Sequence, residues 1–243
     1  MRIRIQTTNF YTFNRRPRFT LRQAEKHSTI GKPDSIGGQE AGRALFYGLR
    51  FYKGYRTAWK RSPNHHHRGN VILMRKSKRH KALGKRWFKA NDGAGTKWTP
   101  PRNVFVLFYE KRGTKIAHIN THFHVVPEEK LPRLDEEQYG RAAEQYVDQV
   151  RLVRRLMRQY KREGYVVFVT MDANTRPRHG VPDWRYAAYK FLERGPWVVS
   201  RRGVDLIIHD SDLVKRVGFD LVNKELLGRA DHPTLIGEYE LID

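Results

Sequence analysis

The sequence contains no cysteine. That excludes disulfide staples, thiolate-zinc sites and cysteine nucleophiles together, and it fits a reducing compartment. Long apolar runs are also missing: none approaches the roughly 18 residues that a membrane-spanning helix needs. The opening, "MRIRIQTTNF", lacks the continuous apolar stretch of a secretory signal and alternates Arg2, Ile3, Arg4, Ile5 instead, which reads as a first strand. The expectation is a cytoplasmic, intracellular protein without a membrane role. Acids are scarce beside bases: 25 Asp and Glu stand against 48 Lys and Arg, so the 243-residue chain carries a net charge of +23. Self-repulsion of that size does nothing for stability, so a polyanionic partner is implied, nucleic acid first and an anionic membrane surface second. Small size with a heavy basic bias would suit a phage or another mobile element. No protein partner is evident, and a monomer is expected.

What is present is enough for a core. Hydrophobic residues make up 39% and aromatics 12%, which separates the chain from disordered polycations. Strands are predicted at 2–8, at "NVILM" (70–74), at "NVFVLFYE" (103–110) and at "KIAHINTHFH" (115–124), the last two forming a hairpin through "KRGTK". A helix spans about 135–163, where Tyr139, Ala142, Tyr146, Val150, Val153, Met157 and Tyr160 recur at helical spacing and Gly164 ends it. Shorter helices are expected near 21–26, 43–50 and 184–192. "VVFVTMDAN", "WVVS", "GVDLIIHD" and "TLIGEYEL" supply four more strands. Mixing of this kind along the whole length predicts a single α/β domain over residues 1–243.

The apolar strands share a feature. The first leads to Asn9, "IGGQE" to Glu40, "AHINTH" to His122, and "VVFVTMDAN" to Asp172 and Asn174. Asp205 sits inside "GVDLII", and "ADHP" with Asp231 and His232 precedes the last strand. Strand ends far apart in sequence come together at one edge of a sheet, which is where ligands gather in α/β folds. Each residue also has a bland reading. An Asp-x-Asn after a strand is an ordinary turn, a lone histidine is commonly a hydrogen-bonded core group, and a glutamate can cap a helix. Asp205 resists dismissal, because a carboxylate in an apolar strand is expensive unless paired. Six such motifs in order favour a site. Its hard oxygen donors suit magnesium, with manganese as an alternative.

The order "TTNF", "IGGQE", "INTH", "MDANT", "GVDLII", "ADHP" resembles the endonuclease/exonuclease/phosphatase family, which includes pancreatic deoxyribonuclease and the abasic-site endonucleases. The resemblance runs from Asn9 to His232. It implies a four-layer sandwich of two packed mixed sheets flanked by helices, and divalent-metal-dependent phosphodiester hydrolysis. By the same resemblance Glu40 binds the metal, with Asn9 and Asp231 supporting it. His122 lies beside the scissile phosphate, Asp172 orients or deprotonates the attacking water, Asn174 holds phosphate or metal, and Asp205 pairs with His232. The chain departs from the family where Gly-Asp-Phe-Asn becomes Met171-Asp172-Ala173-Asn174, where Ser-Asp-His becomes Ala230-Asp231-His232, and where an acid found in some members is Tyr11. The expected activity is that of a DNA endonuclease or nickase. Two rivals are a phosphatase or phosphodiesterase acting on a small nucleotide or lipid headgroup, and a nucleic-acid-binding protein that has lost catalysis.

Basic segments with interleaved rings complete the reading. "FNRRPRFTLR" holds Arg15, Arg16 and Arg18, and "MRKSKRHKALGKRWFK" holds Arg75, Lys76, Lys78, Arg79, Lys85 and Arg86 beside Trp87 and Phe88. Cations meet phosphates and rings can wedge or stack, so both segments are expected to bind nucleic acid. The run "NHHHRGN" reads as a solvated or phosphate-facing loop, since three adjacent histidines cannot all face one ion from a regular element.

Overall fold

Alternation with a period of two organises the molecule. In the computed structural model, which describes residues 1–10, 31–41, 52–58, 69–93, 101–123, 136–174, 188, 190–222 and 234–242, strand β6 (Asn103–Lys111) buries both of its faces. Val104, Val106 and Phe108 point one way; Phe105, Leu107 and Tyr109 point the other. The second set packs against Ile3 and Ile5 of β1 (Arg2–Asn9) and Leu235 and Tyr239 of β12 (Thr234–Leu241), forming the core between two stacked sheets. The first set packs against helix α1 (Glu136–Arg162) through Tyr146, Val150, Val153, Met157 and Tyr160.

The first sheet has the order β11 (Val214–Val222), β12, β1, β2 (Ser35–Ala41), β4 (Gly69–Arg75), β3 (Tyr55–Ala58). The second has the order β5 (His80–Lys89), β6, β7 (Thr114–His122), β8 (Val166–Asp172), β10 (Asp205–Asp210), β9 (Trp197–Arg202). Each sheet is antiparallel except at its centre, where β1 runs parallel to β2 and β7 parallel to β8. In a parallel pair both carboxyl ends leave at the same edge, so each sheet sends two strand ends to one pole. Those ends carry Asn9 with Glu40, and His122 with Asp172.

Helix α1 is held at both ends by local chemistry. Glu136 and Glu137 occupy its first turn, and Lys161 and Arg162 its last, complementing the helix dipole. Gly164, at φ +80°, closes it with a Schellman pair: the Gly164 N–H donates to Lys161 O and the Tyr165 N–H to Tyr160 O, both at 3.0 Å. Tyr160 then meets Phe108 edge-on, with ring centroids 4.8 Å apart.

The two packed mixed sheets are those anticipated, and the described residues include one long helix, on the outer face of the second sheet. The helices expected at 21–26 and 43–50 lie outside the described residues. So does most of the one expected at 184–192, which ends as a 3-10 turn at Phe191–Glu193. Strands β3, β5 and β11 were not anticipated. The basic segment 74–89 divides between the end of β4, a turn, and β5 at the edge of the second sheet.

Candidate functional site

The inner faces of the central strands turn polar as they approach the site pole. On β7 the inward series is Ile116, His118, Asn120, His122; on β8 it is Val166, Phe168, Thr170, Asp172. Gly37 on β2 lies opposite. A Cβ there would sit 1.8 Å from Thr170 Oγ1 and 2.7 Å from Asn120 Oδ1, so the close approach of the two sheets requires glycine. The buried polar groups form a directed chain. His118 Nδ1 lies 2.8 Å from Ser35 Oγ, His118 Nε2 lies 2.8 Å from Thr170 Oγ1, and Thr170 donates to Asn120 Oδ1 at 3.0 Å. Gln39 Nε2 donates to the same Asn120 oxygen at 2.6 Å, while Asn120 Nδ2 donates to Gly38 O and Val71 O. Because Thr170 spends its proton on Asn120, it accepts from His118, which is therefore protonated at Nε2. Complete burial pushes the His118 pKa down to about 3, so the ring is neutral and structural.

Glu40 reaches the site by breaking the alternation. The register between β2 and β4 shifts between Gly38 and Ala41, and Glu40 adopts φ +54°. A bulge of this kind re-aims a side chain, and a left-handed glutamate stores strain that the surroundings must impose. The redirected carboxylate places Oε1 3.6 Å from His122 Nε2. Asp172 Oδ2 lies 3.7 Å from the same nitrogen. Both Asp172 oxygens accept hydrogen bonds: Oδ2 from Asn9 Nδ2 and Oδ1 from the Asn174 backbone N–H, each at 2.9 Å. The Asp-x-Asn pair is thus a turn and part of the cluster at once. Asn174, at φ +49°, is anchored by its side chain to Phe123 O at 2.7 Å. Asp205 stands directly across from Asp172 in the β8–β10 register and is 1% exposed.

One member of the cluster was not anticipated. Arg102, 3% exposed, sets a guanidinium nitrogen 3.0 Å from His122 Nδ1. Guanidinium only donates, so Nδ1 accepts and the neutral His122 carries its proton on Nε2, aimed at the space between Glu40 and Asp172. Gln149 of α1 holds the next part of the strand, donating to Thr121 Oγ1 and to His122 O at 2.7 and 3.1 Å. No pattern in the sequence separates Arg102 from the other basic residues; it follows Pro100-Pro101, just ahead of the strand predicted at 103–110.

Asn9, Glu40, His122, Asp172, Asn174 and Asp205 therefore gather at one pole. Asp231, His232, Arg15, Arg16, Arg18 and the histidine run of "NHHHRGN" lie outside the described residues. Among the described residues, no three Asp, Glu or His side chains are arranged as ready ligands to one ion. The donor set nonetheless suits magnesium, which is commonly held by one or two carboxylates while keeping several waters. Glu40 would be such a carboxylate, with Asp172 beside it to accept a hydrogen bond from water.

The basic segment 74–89 runs the length of the second sheet's edge, from the far pole at Arg75 to the site pole, where Lys89 pairs with Asn103. Arg75 pairs with Tyr55 one step beyond Met74, which faces Ser35, so it lies at the opposite pole, about 20 Å from the site along the strands. Arg75 and Arg79 line a cavity of about 340 Å³ there, with Arg2, Arg4 and Lys111. Lys76 and Lys78 belong to the same turn, while Lys85 and Arg86 lie midway along β5. Trp87 and Phe88 are each partly buried. They alternate across the strand, Trp87 packing on the inter-sheet core and Phe88 on the helix-side core.

No family model and no curated protein matches the sequence. Solved structures do. TDP2 of D. rerio, humanized by 14 mutations, superposes with a TM-score of 0.73 at 15% identity, covering 98% of this chain and 99% of its own. The same protein complexed with a single-strand DNA product gives 0.65 at 16%, covering 98% and 99%. An endonuclease/exonuclease/phosphatase from Bacteroides vulgatus gives 0.72 at 16%, covering both chains completely at 100%. A mannosyl-6-phosphatase of Bacteroides thetaiotaomicron VPI-5482 gives 0.67 at 13%, covering 99% and 100%. Identities this low establish the fold, and the fold is the one these structures share.

Proposed function

We propose that this chain, built on the endonuclease/exonuclease/phosphatase fold, is a divalent-metal-dependent phosphodiesterase that hydrolyses nucleic acid, with DNA as the favoured substrate. The observation that carries the reading is the bracketing of His122 Nε2 by two buried carboxylates, Glu40 at 3.6 Å and Asp172 at 3.7 Å, where two parallel strand pairs end. Structural economy does not account for burying acids around a histidine in a chain of net charge +23.

A magnesium ion held by Glu40 would neutralise phosphate charge. Asn9 and the Asn174 N–H fix both oxygens of Asp172. So oriented, that carboxylate can accept a proton from a water attacking phosphorus in line. As the new P–O bond forms, the bond to the leaving sugar oxygen breaks; that oxygen takes a proton from solvent water, and the proton held by Asp172 returns to solvent. His122, its Nε2–H set by Arg102, can donate a hydrogen bond to a non-bridging phosphate oxygen as charge grows there. Asp205, Asp231 and His232 complete the assignment as an orienting acid, a supporting ligand and a phosphate-binding histidine.

Two features favour a polymeric substrate: the net charge, and the TDP2 neighbour whose structure holds a single-strand DNA product. A second reading rests on the sugar phosphatase among the neighbours, since a small phosphate ester would need the same pole. Oligonucleotides and a hexose 6-phosphate incubated separately with protein and magnesium distinguish the two. Cleavage of the oligonucleotide, abolished by chelation, is expected. Release of phosphate from the sugar alone, undisturbed by excess duplex DNA, would contradict the nucleic-acid reading.

A further inference from the structure

The second half of α1 reads "RLVRRLMRQYKR" and presents Arg151, Arg154, Arg155, Arg158, Lys161 and Arg162 along one flank. These six side chains line a groove of about 780 Å³ between the helix and the turn at 191–197, and among the described residues Asp212 is the one acid in its wall. Like charges three and four residues apart on a helix repel. The spacings 151–155, 154–158 and 158–162 each repeat that penalty. Arg151 is relieved by Asp148 at 3.2 Å, and Lys161 by Asp210 and Asp212 at 2.9 and 2.6 Å. Among the described residues no carboxylate pairs with Arg154, Arg155, Arg158 or Arg162.

Arg154 is the most telling. It is 7% exposed, spends one nitrogen on Leu192 O at 3.2 Å, and leaves its Nε without a hydrogen-bond partner among the described residues. Its guanidinium lies 5.5 Å from the Phe191 ring, with that of Arg194 5.2 Å from the same ring. Burial, then the proximity of Arg158 and Arg194, lower its pKa. A buried cation crowded by other cations favours an anion beside it.

We infer that this groove is an extended binding surface for the phosphodiester backbone of the nucleic-acid chain on which the site acts, an inference that rests on the nucleic-acid reading above. The stripe begins two residues from Gln149, which touches His122, and runs away from the site pole. From Arg151 to Arg162 it covers about 16 Å, the axial length of about five phosphates of one strand. Guanidinium forks suit phosphate oxygens. The large exposed hydrophobic side chains are Leu83, Val198, Val217, Leu221 and Ile242 among the described residues, and none lines the groove, so an inserted lipid surface is not what it fits.

The test is binding in EDTA of a labelled single strand of about 30 nucleotides, which needs no turnover. Arg155, Arg158 and Arg162 are exposed and lie outside the catalytic cluster. The triple variant Arg155→Gln/Arg158→Gln/Arg162→Gln should bind at least about tenfold more weakly. Its log–log salt slope should be shallower by about two, at roughly 0.7 per lost contact with a single strand. Hydrolysis of a small aryl phosphodiester should be unchanged, thermal stability should not fall, and the triple lysine variant should retain the slope. Equal affinity and slope in wild type and variant would overturn the inference even if wild type cleaves DNA. Loss of binding to vesicles of anionic lipid, with oligonucleotide binding intact, would overturn it in favour of a membrane surface. A wild type that cleaves nothing while the triple variant loses oligonucleotide binding would sink the catalytic reading and leave the groove standing.

Discussion

At the scale of single residues, the site works by orientation more than by number of groups. His122 can present a proton toward a phosphate only if its other ring nitrogen is occupied by a donor, and Arg102 supplies that donor from a buried position. Arg102→Met should lower kcat for phosphodiester cleavage by about 10- to 100-fold with KM little changed, and Arg102→Lys should recover part of the loss because it still donates. Steady-state kinetics on one oligonucleotide would check this; a fall in KM affinity without a fall in kcat would contradict the positioning role. Gly37 is as exacting for a different reason. Gly37→Ala would drive a methyl into Thr170 and Asn120, and should cost about 1–3 kcal/mol in thermal or denaturant unfolding. The residue types of the cluster were legible because polar side chains interrupt apolar strands at Glu40, Asp172 and Asp205. Arg102 and His118 were not, since nothing in a sequence so rich in bases distinguishes a buried arginine from a solvated one.

At the scale of elements, legibility followed burial. Strands β6, β7, β8 and β10 are sealed on both faces and read as apolar runs; helix α1 carries one buried stripe and reads at period 3.6. The strands that escaped were β3, β5 and β11, all at sheet edges. Strand β5 is exposed over most of its length and carries Lys81, Lys85, Arg86 and Lys89. Charged edges discourage pairing with another chain, and in doing so erase the alternation that would mark a strand. Its basic character reads as a nucleic-acid surface, and a second density of charge runs along α1. The β2 bulge makes a further prediction. Because Glu40 is left-handed, glycine there should be more stable than alanine by about 1 kcal/mol, although neither supports catalysis. Unfolding of Glu40→Gly and Glu40→Ala side by side reads that difference, and the reverse order would mean that the bulge relaxes when the carboxylate is gone.

At the scale of the whole molecule, two sheets with parallel centres place four strand ends at one pole, and the polar layer of Ser35, His118, Thr170, Asn120 and Gln39 bolts the sheets together behind it. That layer should make stability depend on pH. The folded-state pKa of His118 is about 3 and that of His209 about 4, each held down by burial, against an ordinary value of 6.5. Between 6.5 and those values the unfolded chain binds more protons, so stability falls as pH falls through that window, by up to about 1.4 kcal/mol per pH unit for each fully engaged histidine. Denaturant midpoints of His118→Gln should show a shallower acid slope than wild type; an identical slope would place the sensitivity elsewhere.

The central claim is that Glu40 and Asp172 converge with His122 to hydrolyse a phosphodiester with the help of a divalent ion, and the most direct measurement is the single-turnover rate of oligonucleotide cleavage across a magnesium titration for wild type, Glu40→Gln and Asp172→Asn. Asp172→Asn should lose at least about a hundredfold at every magnesium concentration. For Glu40→Gln the curve should be displaced to higher magnesium, with both proteins folded. Rates equal to wild type in both variants, or cleavage indifferent to magnesium, would contradict it.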